Sequence, residues 1–189
     1  MLKEWSQYTG FKVLSYFIEN PNTKIHLNEL ARKSNVSASS VLKYCNSYVK
    51  DTVLFKEKKS NSVFFSLNND NVFVKSFKKS YFIGSILNSS SFSKFIEENK
   101  SSLVSLILYG GYSSGNYSEN SDVDILIIYN SDKINYNSIL NLENVFKKEI
   151  NITKLSLNQW VKKLNQKDEF ITSILNNHVC LWGANINDS

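Results

Sequence analysis

Apolar and polar positions form their clearest pattern between residues 104 and 129. The apolar run from Leu106 to Tyr109 ends in two glycines, and a polar loop rich in Gly and Ser leads to a second apolar run, Ile125 to Ile128. Short apolar runs bounded by such loops are typical of buried strands. The pattern therefore predicts adjacent strands at 104–109 and 123–129, with a polar connection between them.

The N-terminal part combines helical periodicity with a hairpin pattern. The predicted elements are helices at 8–20, 26–33 and 38–50 and hairpin strands at 53–59 and 63–67. Pro21 and Asn22 end the first helix, and Ser37 or Ser39 can cap the third. Two short helices joined by a tight turn and followed by a hairpin predict a helix-turn-helix with a wing.

The rest of the chain alternates between helix and strand patterns. The predicted helices cover 71–87, 92–100, 137–148, 156–163 and 170–177, and the predicted strands cover 149–153 and 179–183. The serines at 89–91 break the first of these helices and form the expected hinge, and Ser91 is expected to cap the next helix. This alternation predicts a mixed sheet flanked by helices.

Two carboxylates stand at the start of the second motif strand. Because side chains alternate along a strand, Asp122 and Asp124 share one face and Val123 takes the other. Two neighbouring carboxylates repel each other unless something positive lies between them. Oxygen ligands suit a hard divalent ion, so the pair predicts a site for Mg²⁺, with Mn²⁺ as the alternative.

The residues just before this pair suit a phosphate. Gly110 and Gly111 let the backbone come close to a ligand, and a helix beginning near Ser113 would direct free N–H groups towards an anion. The hydroxyls of Ser113 and Ser114 stand where phosphate-binding groups would be useful. Together with the aspartates, these residues predict a nucleotide-handling site.

The motif consists of the glycine pair, the spacer and Asp122-Val123-Asp124, with apolar strand on each side. It resembles the signature of the DNA polymerase beta-type nucleotidyltransferase superfamily, and most closely that of its minimal members. The resemblance covers residues 92–184. It implies that three carboxylates hold two metal ions, that a nucleoside triphosphate is clamped beside them, and that an acceptor hydroxyl attacks the α-phosphorus in line.

The third carboxylate of that family lies on a later strand, and here the chain departs from the pattern. Asn151 occupies the expected position. An amide can ligate Mg²⁺, but it has no charge and cannot accept the proton of an attacking hydroxyl. Glu149 lies two residues away and would face the same side of the strand, so it is the candidate substitute and third catalytic residue alongside Asp122 and Asp124.

Residues 8–68 resemble the core of winged-helix transcription factors. The resemblance implies that the helix at 38–50 docks in the major groove of double-stranded DNA and that the wing contacts phosphates. The expected DNA-binding residues are Ser37, Ser39, Ser40, Lys43, Lys56, Lys58 and Lys59. The alternative is that this module mediates dimerisation or protein docking without nucleic acid.

The charge distribution favours a nucleic-acid partner for the N-terminal part. The 189-residue chain has a net charge of +5, of which residues 1–88 contribute +7 and the remainder −2.

Cys45 and Cys180 have no metal-like spacing and are expected to be buried free thiols in a reducing cytoplasm. Neither a signal peptide nor an apolar run of membrane-spanning length is visible in the sequence.

These patterns predict an α+β protein with a winged helix at 1–70, a connecting helix and hinge at 71–91 and a nucleotidyltransferase-like domain at 92–189. The main functional hypothesis is a DNA-binding transcriptional regulator whose second domain binds ATP or another nucleoside triphosphate with Mg²⁺. The alternative is an active enzyme that transfers AMP to a protein or small molecule, including an antitoxin that acts on a HEPN-type toxin. A homodimer is compatible with the sequence.

Overall fold

The computed structural model of the chain describes residues 2–131 and 133–186. The chain divides into two compact units, Met1–Tyr81 and Phe82–Ser189. Helices and a β-sheet occur in both, which confirms the predicted α+β class. The boundary falls within the predicted connecting segment, inside a helix that runs from Val72 to Leu87.

The first unit contains four helices, three strands and the start of the boundary helix. Its elements are α1 Leu2–Trp5, α2 Thr9–Glu19, β1 Lys24–His26, α3 Leu27–Ser34, α4 Ala38–Lys50, β2 Leu54–Lys59, β3 Ser62–Leu67 and α5 Val72–Leu87. The strands form an antiparallel sheet in the order β1-β3-β2. Buried apolar residues from α2, α3, α4 and the sheet, including Phe17, Leu30 and Phe65, form its core.

Side-chain caps fix the beginnings of α3 and α4. The Ser37 side chain accepts a hydrogen bond from the backbone N–H of Ser40, as the sequence predicted, and the His26 ring accepts one from Asn28. Asn35 ends α3 in the left-handed conformation, φ 53°, which asparagine tolerates better than most residues. The chain therefore turns sharply between α3 and α4. The sequence prediction missed β1, which has only three residues.

The second unit is built on a four-stranded sheet. Its elements are α6 Ser90–Asn99, β4 Leu103–Tyr109, α7 Gly110–Ser114, β5 Val123–Tyr129, α8 Asn137–Leu140, α9 Leu142–Phe146, β6 Ile150–Ser156, α10 Leu157–Asn165, α11 Glu169–Asn176 and β7 His178–Gly183. The strand order is β6-β5-β4-β7. β4 is antiparallel to β5 and β7, while β5 and β6 are parallel, so the predicted mixed sheet is confirmed.

Both faces of this sheet are covered by apolar side chains. Val123, Ile125 and Ile127 of β5 contribute to the core on one face, whereas Leu126 and Ile128 contribute to the core on the other. The second face is covered by α10 and α11 through Trp160, Ile171 and Ile174. A strand buried on both faces reads as a continuous apolar run, which explains why β4 and β5 were predictable.

Several element boundaries differ from the predicted ones by a few residues. The helix expected at 137–148 is divided into α8 and α9, because hydrogen bonding tightens to an i−3 bond from Asn144 to Asn141. Ser89, not Ser91, caps α6 through the N–H of Ser91. The helix expected near Ser113 begins at Gly110, and the strand expected from residue 149 begins at Ile150.

The two cysteines differ in burial. Cys45 is buried as expected, whereas Cys180 is only partly buried, and both are free. No helix within residues 2–131 and 133–186 has the length and apolar character needed to cross a membrane.

Candidate nucleotide and metal site

The two aspartates lie at the beginning of β5. Val123 is fully buried on one face of the strand, while Asp122 is exposed and Asp124 is half-buried on the opposite side. Burial raises the pKa of the Asp124 carboxyl, a hydrogen bond from Asn151 opposes that rise, and the neighbouring charge of Asp122 adds to it. The alternation predicted from sequence therefore places both carboxylates on one face of the sheet.

Asn151 lies directly beside the two aspartates. The parallel register pairs Asp124 with Asn151 on β6. The Asn151 side-chain amide nitrogen is 3.4 Å from Oδ2 of Asp122 and 3.5 Å from Oδ1 of Asp124, so it donates weakly towards both. A single neutral amide thus bridges the carboxylate pair, at the position where the resemblance places a third carboxylate.

Gly110 turns the backbone immediately next to Asp124. It has a φ of +71°, and a Cβ built there would lie far inside van der Waals contact with Oδ2 and 3.3 Å from Cγ of Asp124. A Cβ on Gly111 would only make an ordinary contact, 3.6 Å from the Cα of Tyr117. The first glycine is therefore required by both conformation and space, whereas the second is not.

The two serines after the glycines form local hydrogen bonds. Ser113 is fully buried, and its hydroxyl lies 2.8 Å from the carbonyl of Gly110 and 3.2 Å from that of Asn177. Ser114 is half-buried and donates to the carbonyl of Gly111 at 3.0 Å. Phosphate binding by these hydroxyls stays a prediction, and it would require them to give up these bonds.

Tyr112 has a packing role. It is 2% exposed, and its ring stacks on Tyr117 with centroids 4.1 Å apart. Burial raises the pKa of its hydroxyl to about 12, with a smaller contribution from the charge of Asp122. A side chain enclosed in this way packs in the core and is not a surface for a base or ribose.

Catalysis by Glu149 stays a prediction, and this residue does not form a three-ligand group with the aspartates within the described residues. It precedes β6, and its backbone carbonyl accepts a hydrogen bond from Val123. In the described part of the chain, no group of three or more His, Cys, Asp and Glu side chains could hold a metal ion. The donor set beside Gly110 is therefore two carboxylates and the Asn151 amide, which suits one hard divalent cation through oxygen atoms.

Sequence reasoning missed a polar and aromatic group on the same face of the sheet. Tyr109 lies opposite Asp124 on one side and His178 on the other. Its hydroxyl is 3.0 Å from that of Thr153, and its ring meets the ring of Phe170 edge-on at 5.6 Å. Strand alternation from Asn151 would have indicated Thr153, but no local pattern places Phe170 here.

The helix residues predicted to bind DNA are polar or basic and lie at the beginning of α4. Ser37, Ser39 and Lys43 are exposed and Ser40 is half-buried. The Ser37 hydroxyl lies 2.9 Å from that of Ser40 and 3.2 Å from that of Ser39. These hydroxyls are therefore engaged mainly in capping α4.

The hairpin lysines make contacts within the first unit. Lys56 donates to the side chain of Asn46 on α4 at 2.9 Å, and Lys59 is 3.3 Å from the carboxylate of Glu57. Glu57 also pairs with Lys24, and hydrogen bonds from these two lysines lower the pKa of Glu57. Lys58 is exposed. The hairpin thus presents its basic groups to solvent with part of their charge neutralised by Glu57.

A surface cavity of about 710 Å³ lies away from the aspartates. It is lined by residues of α11, of the end of α10 and of the turn between them, among them Leu164, Lys167 and Leu175. None of the predicted site residues lines it. Its lining includes neither the carboxylate pair nor Gly110. The candidate functional site is therefore the carboxylate pair on the sheet and not this cavity.

The part of the chain that contains the second sheet and the carboxylate pair matches a known family of domains. Residues 89–181, just under half of the chain, match the family model described as nucleotidyltransferase domain. Among solved structures, the chain is similar to a crystal structure of a toxin–antitoxin with AMP-PNP. That similarity has 19% identity and a TM-score of 0.37, and it covers 53% of this chain and 77% of the other. No curated protein sequence matches the chain.

Proposed function

We propose that residues 89–181 bind a nucleoside triphosphate together with one divalent cation, and that they transfer its nucleotidyl group far more slowly than a site with three carboxylates would. The observation that carries this proposal is the bridge of Asn151 between Asp122 and Asp124, next to the turn at Gly110. The family match at 89–181 supports the choice of nucleotide.

Charge supports one cation rather than two. The two aspartates bring two negative charges, which one Mg²⁺ or Mn²⁺ balances, whereas two such ions would need the charge of a third carboxylate or of the ligand. The bound ion would screen the carboxylates and the phosphates from each other. Asn151 can offer its amide oxygen as a ligand after a side-chain flip, but it cannot take the proton of an acceptor hydroxyl.

The aspartates should be essential for metal-dependent nucleotide binding. Titration of ATP with Mg²⁺ into the wild-type chain should give heat of binding, and the Asp122→Ala/Asp124→Ala variant should lose it. Removing both charges eliminates the attraction for the ion, which per pair of unit charges at about 4 Å is about 1 kcal/mol in water and about 4 kcal/mol at an effective dielectric near 20. Equal affinity in both proteins would contradict the proposed site.

Transfer of the nucleotidyl group also requires an acceptor molecule. We propose a protein acceptor, in line with the HEPN-type partner that the sequence resemblance implies. An acceptor can be sought by incubating the chain with labelled ATP and candidate proteins. Label that appears on a protein with the wild type, and not with Asp124→Ala, would identify both the activity and the partner class.

DNA binding by the first unit is the second candidate function. The specific observation that favours it is the exposed face of α4, where Ser39, Lys43, Asn46 and Lys50 are all exposed and the helix itself contains no acidic residue before its C-cap, Asp51. Lys56 of the hairpin reaches this same face through Asn46. The net charge of +7 over residues 1–88 is that expected of a phosphate-binding module.

Affinity for double-stranded DNA should fall as the salt concentration rises, and the fall should be steeper the more phosphates the chain contacts. Replacing Lys56, Lys58 and Lys59 by Ala should reduce the slope of log K against log [salt] by about 0.9 for each lysine that contacts a phosphate. The matched control removes the same charge from the second unit, by Lys94→Ala, Lys100→Ala and Lys162→Ala. If both triple variants bind with wild-type slope, or if the wild type does not bind at low salt, the DNA hypothesis is wrong.

A further inference from the structure

The exposed side chain of Phe170 contacts the ring of Tyr109, and Tyr109 pairs with Asp124 across the sheet. Phe170, the second residue of α11, is 37% exposed, although the inner positions Ile171 and Ile174 of the same helix are each 1% exposed. Those isoleucines already anchor α11 against the sheet. The exposed part of Phe170 is therefore not needed to hold the helix in place, and a large apolar face remains in solvent.

Tyr109 connects Phe170 to the site. Residues that face each other across an antiparallel pair have side chains on the same face of the sheet, so the Tyr109 ring lies next to Asp124. The hydrogen bond between Tyr109 and Thr153 holds that ring across the sheet. The edge-on contact, with ring centroids 5.6 Å apart, then fixes Phe170 beside Tyr109.

We propose that the nucleobase of the bound triphosphate stacks on Phe170, with Tyr109 as the support that keeps the Phe170 ring in position. This inference rests on the proposed function, because the phosphates must be held at Asp122 and Asp124 for the base to reach the ring. An aromatic face accepts any base, so the ligand class is a nucleoside triphosphate rather than a phosphate chain alone.

The test compares ATP with inorganic tripolyphosphate, each with Mg²⁺, by calorimetry on the full chain. Phe170→Ala should weaken ATP binding by roughly 5- to 150-fold, the range that corresponds to the loss of one base–aromatic stack. Tripolyphosphate has no base, so its affinity should be unchanged. Phe170→Tyr retains the ring and should restore ATP binding. Val145→Ala, which truncates a side chain that is 56% exposed on α9, is the matched control.

Three other results would contradict the stacking inference. If Phe170→Ala leaves ATP affinity unchanged while Asp122→Ala/Asp124→Ala abolishes it, the stacking inference is wrong and the proposed function stands. If Phe170→Ala weakens ATP and tripolyphosphate equally, Phe170 supports the fold of the site and does not contact the base. If the wild type binds neither compound, the proposed function fails, and the inference fails with it.

Discussion

Replacing Asn151 by Asp should raise the rate of nucleotidyl transfer by roughly 100-fold or more, the usual contribution of a positioned general base. The new carboxylate would lie where the amide nitrogen now is, about 3.5 Å from an oxygen of Asp122 and of Asp124. It would supply the third negative charge and a proton acceptor. The measurement is incorporation of labelled nucleotide, or release of pyrophosphate, under saturating Mg²⁺ and ATP.

The same substitution should be visible without any activity assay. Three carboxylates in van der Waals contact repel each other, at a cost of about 1 kcal/mol for each pair of charges near 4 Å in water. Asn151 is exposed, so that solvent-screened value applies. The Asn151→Asp variant should therefore unfold at a lower temperature than the wild type in EDTA and should gain more stability from Mg²⁺ or Mn²⁺.

Glu149→Gln is the control for this prediction. Glu149 precedes the strand and does not join the two aspartates in a three-ligand group within the described residues. Neutralising it should leave both the wild-type rate and the gain from Asn151→Asp unchanged. If Glu149→Gln removed the wild-type activity, Glu149 would be the third carboxylate after all, and the role assigned to Asn151 would be wrong.

The predictable parts of the fold are those with strong local patterns. β4 and β5 are buried on both faces, α10 begins with a reciprocal cap between Ser156 and Gln159, and α4 begins at the Ser37 cap. Each of these features is encoded within a few residues. The register that pairs Asp124 with Asn151 was also accessible, because the spacing of the motif and the following helix and strand places them on neighbouring strands.

What sequence could not supply depends on contacts between distant segments. β1 is three residues long and exists because Lys24, Ile25 and His26 pair with β3, about 40 residues later. Tyr109 and Phe170 meet only because β4 and α11 pack together. Ser113 is a predicted phosphate ligand, and the sequence gives no sign that its hydroxyl lies 3.2 Å from the carbonyl of Asn177, 64 residues later.

Gly110→Ala should abolish metal-dependent nucleotide binding, while Gly111→Ala should leave it close to wild type. At position 110, a methyl group would have to displace the Asp124 carboxylate and would also impose a left-handed conformation that costs roughly 1–2 kcal/mol for a residue with a Cβ. At position 111, the same methyl group meets only ordinary contacts. Replacing a glycine by alanine within a helix even stabilises it by about 0.5–1 kcal/mol.

The two variants form a matched pair, since they add the same group to adjacent residues of α7. Calorimetric titration with ATP and Mg²⁺ measures the loss of binding, and thermal unfolding measures the strain. Gly110→Ala should lose affinity by more than its loss of stability explains, because the displaced carboxylate is also a ligand. Retention of wild-type affinity by Gly110→Ala would mean that Asp124 can move without consequence. The metal would then have to be held by groups other than the pair bridged by Asn151.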